Sequence, residues 1–350
     1  MTKKPIWLTI LLACTLLSFP AESEALQTQA QTITISTGKK AVRWISYHPS
    51  EGVELRPAIA QNKIGMTEEL ASMAKRHQAL AAINGTYFNP YDAKDLQPMG
   101  GIVINGALAH IRGGAEWLGI KPNGEIAFTP NSGTPITLHF VQSDQNKLTQ
   151  TAWFLNHLPT TPEETVVFTP LFRSQTLELP GFSFVIVDQG KVTAVVRDKA
   201  VIPAKGFVVA AGPQARFRTG VVKVGDQASY ALDWPAELQG SQHMISVGPK
   251  LVTEGKLDVR LEAFSEAKIT SQKGQRSFIG KKQDQTVVMG TVPGVTMHEL
   301  AEIAQKLGLV EAMNLDGGAS SGLYYQGKYL TKTGRPLSNA LVLVKRSPQK

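Results

Sequence analysis

The chain has 350 residues, of which 42% are hydrophobic and only 18% charged, below the roughly 25% of an average soluble protein. Its 31 glycines and 20 prolines follow no period, which excludes collagen, and its single long apolar run excludes a polytopic membrane protein. The net charge of +8 is not gathered into Lys/Arg clusters and no aromatic RNP-type pattern accompanies it, which excludes nucleic acid as a partner. A mild positive charge is compatible with peripheral association with an anionic cell envelope.

In chain order, Lys3 and Lys4 precede an apolar run over 6–19, too short to span a bilayer but suited to the core of a signal peptide. Ser23-Glu24-Ala25 offers a small-x-small cleavage site, so a mature chain is expected to start at Leu26 and to be periplasmic or extracellular. The alternative is a lipoprotein, in which Leu11-Leu12-Ala13-Cys14 would serve as the lipidation motif. Cys14 is the single cysteine, so the mature chain would have no disulfide, no thiol nucleophile and no Cys-ligated metal. The stretch 26–40 is polar and reads as a poorly ordered lead-in; 41–346 reads as one domain.

Strand-like runs bounded by Gly, Pro, Asn or Asp then recur, at 101–105, 119–120, 125–128, 165–168, 182–187, 192–197, 206–211, 244–247, 286–289 and 341–344. Asn123-Gly124 and Gln189-Gly190 read as hairpin turns, and the polar stretch 142–151 as a loop. Two helices stand out. One covers 67–76, with Leu70, Met73 and Ala74 at i, i+3, i+4; the other covers 297–307, opened by a Thr296…Glu299 capping box and closed by Gly308. Strands far outnumber helices, so the expected class is α+β with large mixed or antiparallel sheets.

Shifted by 230 positions, the two helical segments align without gaps. Glu69, Leu70, Ala71, Ala74, Ala82 and Asn84 fall on Glu299, Leu300, Ala301, Ala304, Ala312 and Asn314, six identities over 67–84. Each copy reads helix, short apolar strand, Asn, turn. Either two amphipathic helices of limited alphabet match by chance, or a pseudo-repeat brings two Asn-ended strands to one pocket.

Three segments could carry chemistry. Asn84-Gly85-Thr86-Tyr87-Phe88 ends an apolar strand abruptly in polar groups, either to present side chains to a cleft or as a hairpin corner. Asn314-Leu315-Asp316-Gly317-Gly318-Ala319-Ser320-Ser321 places a carboxylate before two glycines, whose amides can turn towards an anion, and two serines that can donate hydrogen bonds. It matches no Walker or Rossmann pattern, and a tight turn with an Asp cap is the plainer alternative. Arg276, at the start of an apolar run, offers a planar donor fork for phosphate or carboxylate, or is a surface arginine. The seven histidines show no ligand spacing, so neither metal nor cofactor is expected.

Taken in order, these segments resemble the phosphodiester glycosidase family. The resemblance rests on Asn84-Gly85-Thr86-Tyr87-Phe88, Gly100-Gly101-Ile102-Val103-Ile104-Asn105-Gly106, Gly248-Pro249-Lys250-Leu251, Arg276 to Gly280, Glu299-Leu300-Ala301 and Asn314 to Ser321. Thr86 and Asn89 depart from that family's usual glycine and aspartate. The resemblance implies hydrolysis of a sugar joined through its anomeric oxygen to a phosphodiester, with a glycan or sugar-phosphate as partner. It implies Asp316, Arg276 and Asn84 as catalytic positions and Gly85, Thr86, Tyr87, Asn314, Gly317, Gly318, Ser320 and Ser321 as substrate-binding ones. A non-catalytic glycan- or envelope-binding protein on the same fold is the alternative.

Overall fold

The computed structural model describes residues 26–346 except Ser132, Thr134 and Asp233. The expected signal peptide and Cys14 lie outside the described residues. The class is as expected: strands dominate, in four sheets.

The first sheet has the spatial order Gln27–Ile35, Gly38–Tyr47, Val287–Val295, Gly274–Lys282, Leu309–Asn314, Lys250–Thr253, Lys256–Leu257. The second runs Lys328–Thr331, Leu323–Tyr325, Ala81–Asn84, Asn339–Lys345, Val53–Ile59. A third, five-stranded sheet centres on His243–Val247 and Glu116–Ile120. The fourth, eight-stranded sheet spans Ile136–Val141 to Gln227–Leu232 and includes the long hairpin Thr176–Asp188/Lys191–Val201. That hairpin turns at Gln189 and Gly190, both with positive φ, as a two-residue turn of matching twist requires.

The 230-residue offset is visible in the first two sheets. Helix α1 (Leu70–Arg76) crosses from Val53–Ile59 to Ala81–Asn84, and these two strands flank Asn339–Lys345. Later in the chain, Val287–Val295 leads into a second long crossover helix, Met297–Lys306, and on to Leu309–Asn314; these strands flank Gly274–Lys282. The fourth strand also corresponds, Leu323–Tyr325 in one sheet and Lys250–Thr253 in the other. Even the hydrogen bonds repeat. Asn84 N donates to Gly322 O (3.4 Å) and Gly85 N to Asn339 O (3.3 Å); Asn314 N donates to Pro249 O (2.9 Å) and Leu315 N to Ser277 O (2.8 Å).

Period-2 alternation builds the layers. In Asn339–Lys345, Leu341 and Leu343 face a central core shared by the first three sheets, whereas Ala340, Val342 and Val344 meet Leu70, Met73 and Ala74 of α1. In Leu309–Asn314, Met313 faces the central core and Ala312 packs with Leu300, Ala301 and Ala304 of the second helix.

Two expectations are corrected. The stretch 26–40 is not a poorly ordered lead-in: Gln27–Ile35 pairs along its length with Gly38–Tyr47. The stretch 142–151 is not wholly loop, since Lys147–Ala152 pairs with Ile136–Val141. Both are edge strands of their sheets, and the polar side chains that keep an edge soluble also hide it from a hydrophobicity pattern.

Candidate active site

The pseudo-repeat brings its two strand ends together, tip to tip. Asn84 Nδ2 donates to the Asp316 carbonyl (2.6 Å), and the Asp316 amide donates to the Gly85 carbonyl (3.0 Å). Above this junction opens a cleft with a cavity volume of about 730 Å³. Asp316 stands at its floor, beside Gly317, Gly318 and Ser320. Arg276, Lys268, Lys273 and Arg335 supply cations, and Tyr87, Phe264, Tyr91 and Met99 supply apolar and aromatic surface.

Asp316 is only partly exposed, and burial pushes its carboxyl up to about 6. Hydrogen bonds from Ser320 and from the Gly317 amide (2.7 Å) act in the opposite direction, as do the charges of Arg335 and Lys268. The carboxyl is therefore poised near neutrality, as an acid/base or nucleophilic group requires. Tyr87 borders it with a phenol that burial and the Asp316 charge keep protonated. Its hydroxyl donates to Gly248 O (2.8 Å) and accepts from Asn314 Nδ2 (2.7 Å), and its ring meets Phe264 edge-on at 6.1 Å.

Arg276 is largely spoken for. Its Nη2 donates to the carbonyls of Lys268 (2.7 Å) and Gln272 (2.8 Å) and its Nε to that of Val295 (3.3 Å). Only Nη1, on the Gly317 side, remains for a ligand among the described residues, so a two-nitrogen grip on phosphate is not available. The arginine chiefly holds the short helix Ala267–Thr270, with Lys268, against the cleft.

Six of the eleven residues singled out in the sequence line the cleft: Tyr87, Arg276, Asp316, Gly317, Gly318 and Ser320. The other five lie behind it. Asn84, 1% exposed, spends its side chain on Asp316 O, on the Ser277 hydroxyl (2.7 Å) and on the Gly322 amide (3.0 Å). The expectation that Asn84 is a catalytic position is corrected: it lies behind the cleft and clamps the Asp316 backbone. Asn314 is fully buried and anchors Tyr87. Gly85 and Thr86 are fixed by Asn339, whose side chain accepts from the Thr86 amide (2.8 Å) and donates to its carbonyl (3.2 Å). Ser321 is buried beneath the turn. The sequence reading missed Lys268, Arg335, Tyr91 and Phe264, because isolated residues in loops or in a single-turn helix of separate segments carry no local pattern. Among the described residues no three His, Cys, Asp or Glu side chains converge as metal ligands.

Several solved structures share the fold. A hypothetical protein from Synechocystis superposes with a TM-score of 0.81 at 21% identity, covering 92% of this chain, which spans 62% of that one. A putative exported protein from Burkholderia pseudomallei K96243 gives 0.71 at 21% identity, covering 88% and 74%. The catalytic domain of zebrafish N-acetylglucosamine-1-phosphodiester alpha-N-acetylglucosaminidase, solved auto-inhibited by its pro-peptide, gives 0.50 at 13% identity, covering 92% and 84%. No curated protein sequence matches the chain. The phosphodiester glycosidase family model matches residues 181–344, which include Arg276, Asn314 and Asp316. Over that segment the chain is similar to the phosphodiester glycosidase family.

Proposed function

We propose that the chain is an exported hydrolase that cleaves a sugar 1-phosphodiester in a glycan or cell-envelope polymer. The observation that carries this reading is Asp316, a carboxyl raised to about 6 on the floor of a cleft with a cationic rim and an aromatic wall. In the reaction the bond between the anomeric carbon and its oxygen breaks, the phosphate departs as a monoester, and water supplies the new anomeric hydroxyl. The departing phosphomonoester has a second pKa of about 6, so it leaves without the strong general acid that an alcohol needs. Asp316 then acts at the sugar carbon, as nucleophile or as base for water, while the cations offset charge growing on the phosphate. Tyr87 and Phe264 offer apolar faces for the sugar. Export is supported by the charged and apolar N-terminal run of the sequence.

The test is a panel of sugar 1-phosphodiesters set beside the same sugars carrying neutral alcohol aglycones. Reducing sugar should appear from at least one diester and far more slowly from its neutral counterpart. Folded protein that binds glycans but releases sugar from no diester would replace this reading with a non-catalytic binder.

A further inference from the structure

The cleft's four cations differ in what already holds them. Lys268 Nζ sits 2.6 Å from Glu266, and Lys273 Nζ 3.3 Å from Glu299. Arg276 donates three hydrogen bonds to backbone carbonyls. Arg335 has neither a carboxylate nor a carbonyl partner among the described residues. Its guanidinium rests on Tyr91, 5.1 Å from the ring centroid, with Nη2 3.3 Å from the phenol oxygen. Tyr91 is 82% exposed, so this resting contact is a long hydrogen bond and a solvated stacking, weak by the standards of either.

The backbone that carries Arg335 is nonetheless fixed to the site. The Gly334 amide donates to Ala319 O (2.7 Å), inside the Gly317-to-Ser320 turn that borders the carboxylate. Arg335 and Lys268 are cations whose charges lower the Asp316 carboxyl. A group bound by Arg335 therefore lies within electrostatic reach of Asp316.

We propose that Arg335 is the residue that grips the anionic phosphodiester, drawn from its rest on Tyr91 onto the two non-bridging phosphate oxygens, which its unspent fork matches. Tyr91 and the exposed Met99 of the same cleft then offer surface to whatever lies beyond the phosphate. This assignment rests on the phosphodiester glycosidase reading above, and it transfers to Arg335 the phosphate role that the sequence alone suggested for Arg276.

Two measurements on the full mature chain separate the two ideas. The first is binding of dimethyl phosphate and inorganic phosphate by titration calorimetry at low salt, which needs no turnover. Arg335→Gln should weaken binding roughly 10- to 100-fold, as expected for loss of a charge-assisted bidentate contact. Arg335→Lys should recover part of it, and Tyr91→Phe should change it by less than about threefold. The second is kinetics on a cleaved diester. Arg335→Gln should raise KM by a similar factor, lower kcat less, and move the acidic limb of kcat/KM to higher pH, because a cation that lowers the Asp316 carboxyl is gone. Unchanged phosphate affinity in a folded Arg335→Gln protein, or no binding of either anion by the wild type, would overturn the assignment. If the anions bind through Arg335 but no diester is cleaved, the activity fails and the anion site stands.

Discussion

Asn84 and Asn314 occupy corresponding places in the two sheets, yet neither touches the cleft; one holds the Asp316 backbone and the other holds Tyr87. Removing the Asn84 amide in Asn84→Ala would leave the Ser277 hydroxyl, the Gly322 amide and the Asp316 carbonyl without a partner in a buried site. We expect a loss of about 3 kcal/mol in urea unfolding, together with reduced turnover as the carboxylate loses its footing. Asp316 behaves in the opposite way. Its pKa is raised on folding, so between about pH 4 and 6 the folded chain holds more protons than the unfolded one, and stability falls as pH rises through that window. Asp316→Asn removes this cost, so its melting temperature should exceed the wild type's at pH 7, with the advantage gone at pH 4. A lower melting temperature at both pH values would contradict the strained-carboxylate picture. The motif residues themselves were legible in the sequence, because Asn-Gly and Asp-Gly-Gly after apolar runs are chemically conspicuous. Which of them face the substrate was not, since that depends on partners some 200 residues away.

The helix at Met297–Lys306 was legible to within a residue, because its apolar stripe, capping box and terminal Gly308 agree. Helix α1 begins three residues later than its pattern implies. Glu68 exchanges backbone hydrogen bonds with Leu337, and this tertiary bridge holds 67–69 extended. The capping residue Glu299 does more than cap. It accepts from the Thr296 amide (2.8 Å) and from the Thr37 hydroxyl (2.5 Å), and pairs with Lys40 (3.1 Å) and with Lys273 at the cleft. Burial raises its pKa, but these partners outweigh burial and hold it at about 2. A lowered carboxyl contributes stability that is full above its unfolded pKa, near 4.5, and is lost as pH falls towards 2. Glu299→Gln should therefore cost roughly 2 kcal/mol at pH 7 and little at pH 2.5. An equal loss at both would assign the effect to packing alone.

At the scale of the molecule, the eight-stranded sheet between Ile136 and Leu232 has the size of a separate unit, but its core is not separate. Val103, Ile111, Trp117 and Met244 of the neighbouring sheet and its flanks pack into it with Leu138, Val185 and Val209. The reading of 41–346 as one domain agrees with this shared core. Calorimetry of the mature chain should show one cooperative transition; two well-separated peaks would mean that this interface is weaker than its packing implies. The cleft likewise belongs to the whole chain, drawing Tyr87 and Tyr91 from its first third and Arg276, Asp316 and Arg335 from its last.

The central claim is that Asp316 performs the chemistry on a sugar 1-phosphodiester. The direct measurement is release of reducing sugar from one cleaved diester by wild type and Asp316→Asn, in preparations matched for folding by their melting curves. We expect turnover to fall by roughly 10²-fold or more, the scale of losing an acid/base or nucleophilic group. A folded Asp316→Asn protein that keeps turnover within a few-fold of wild type would contradict the account.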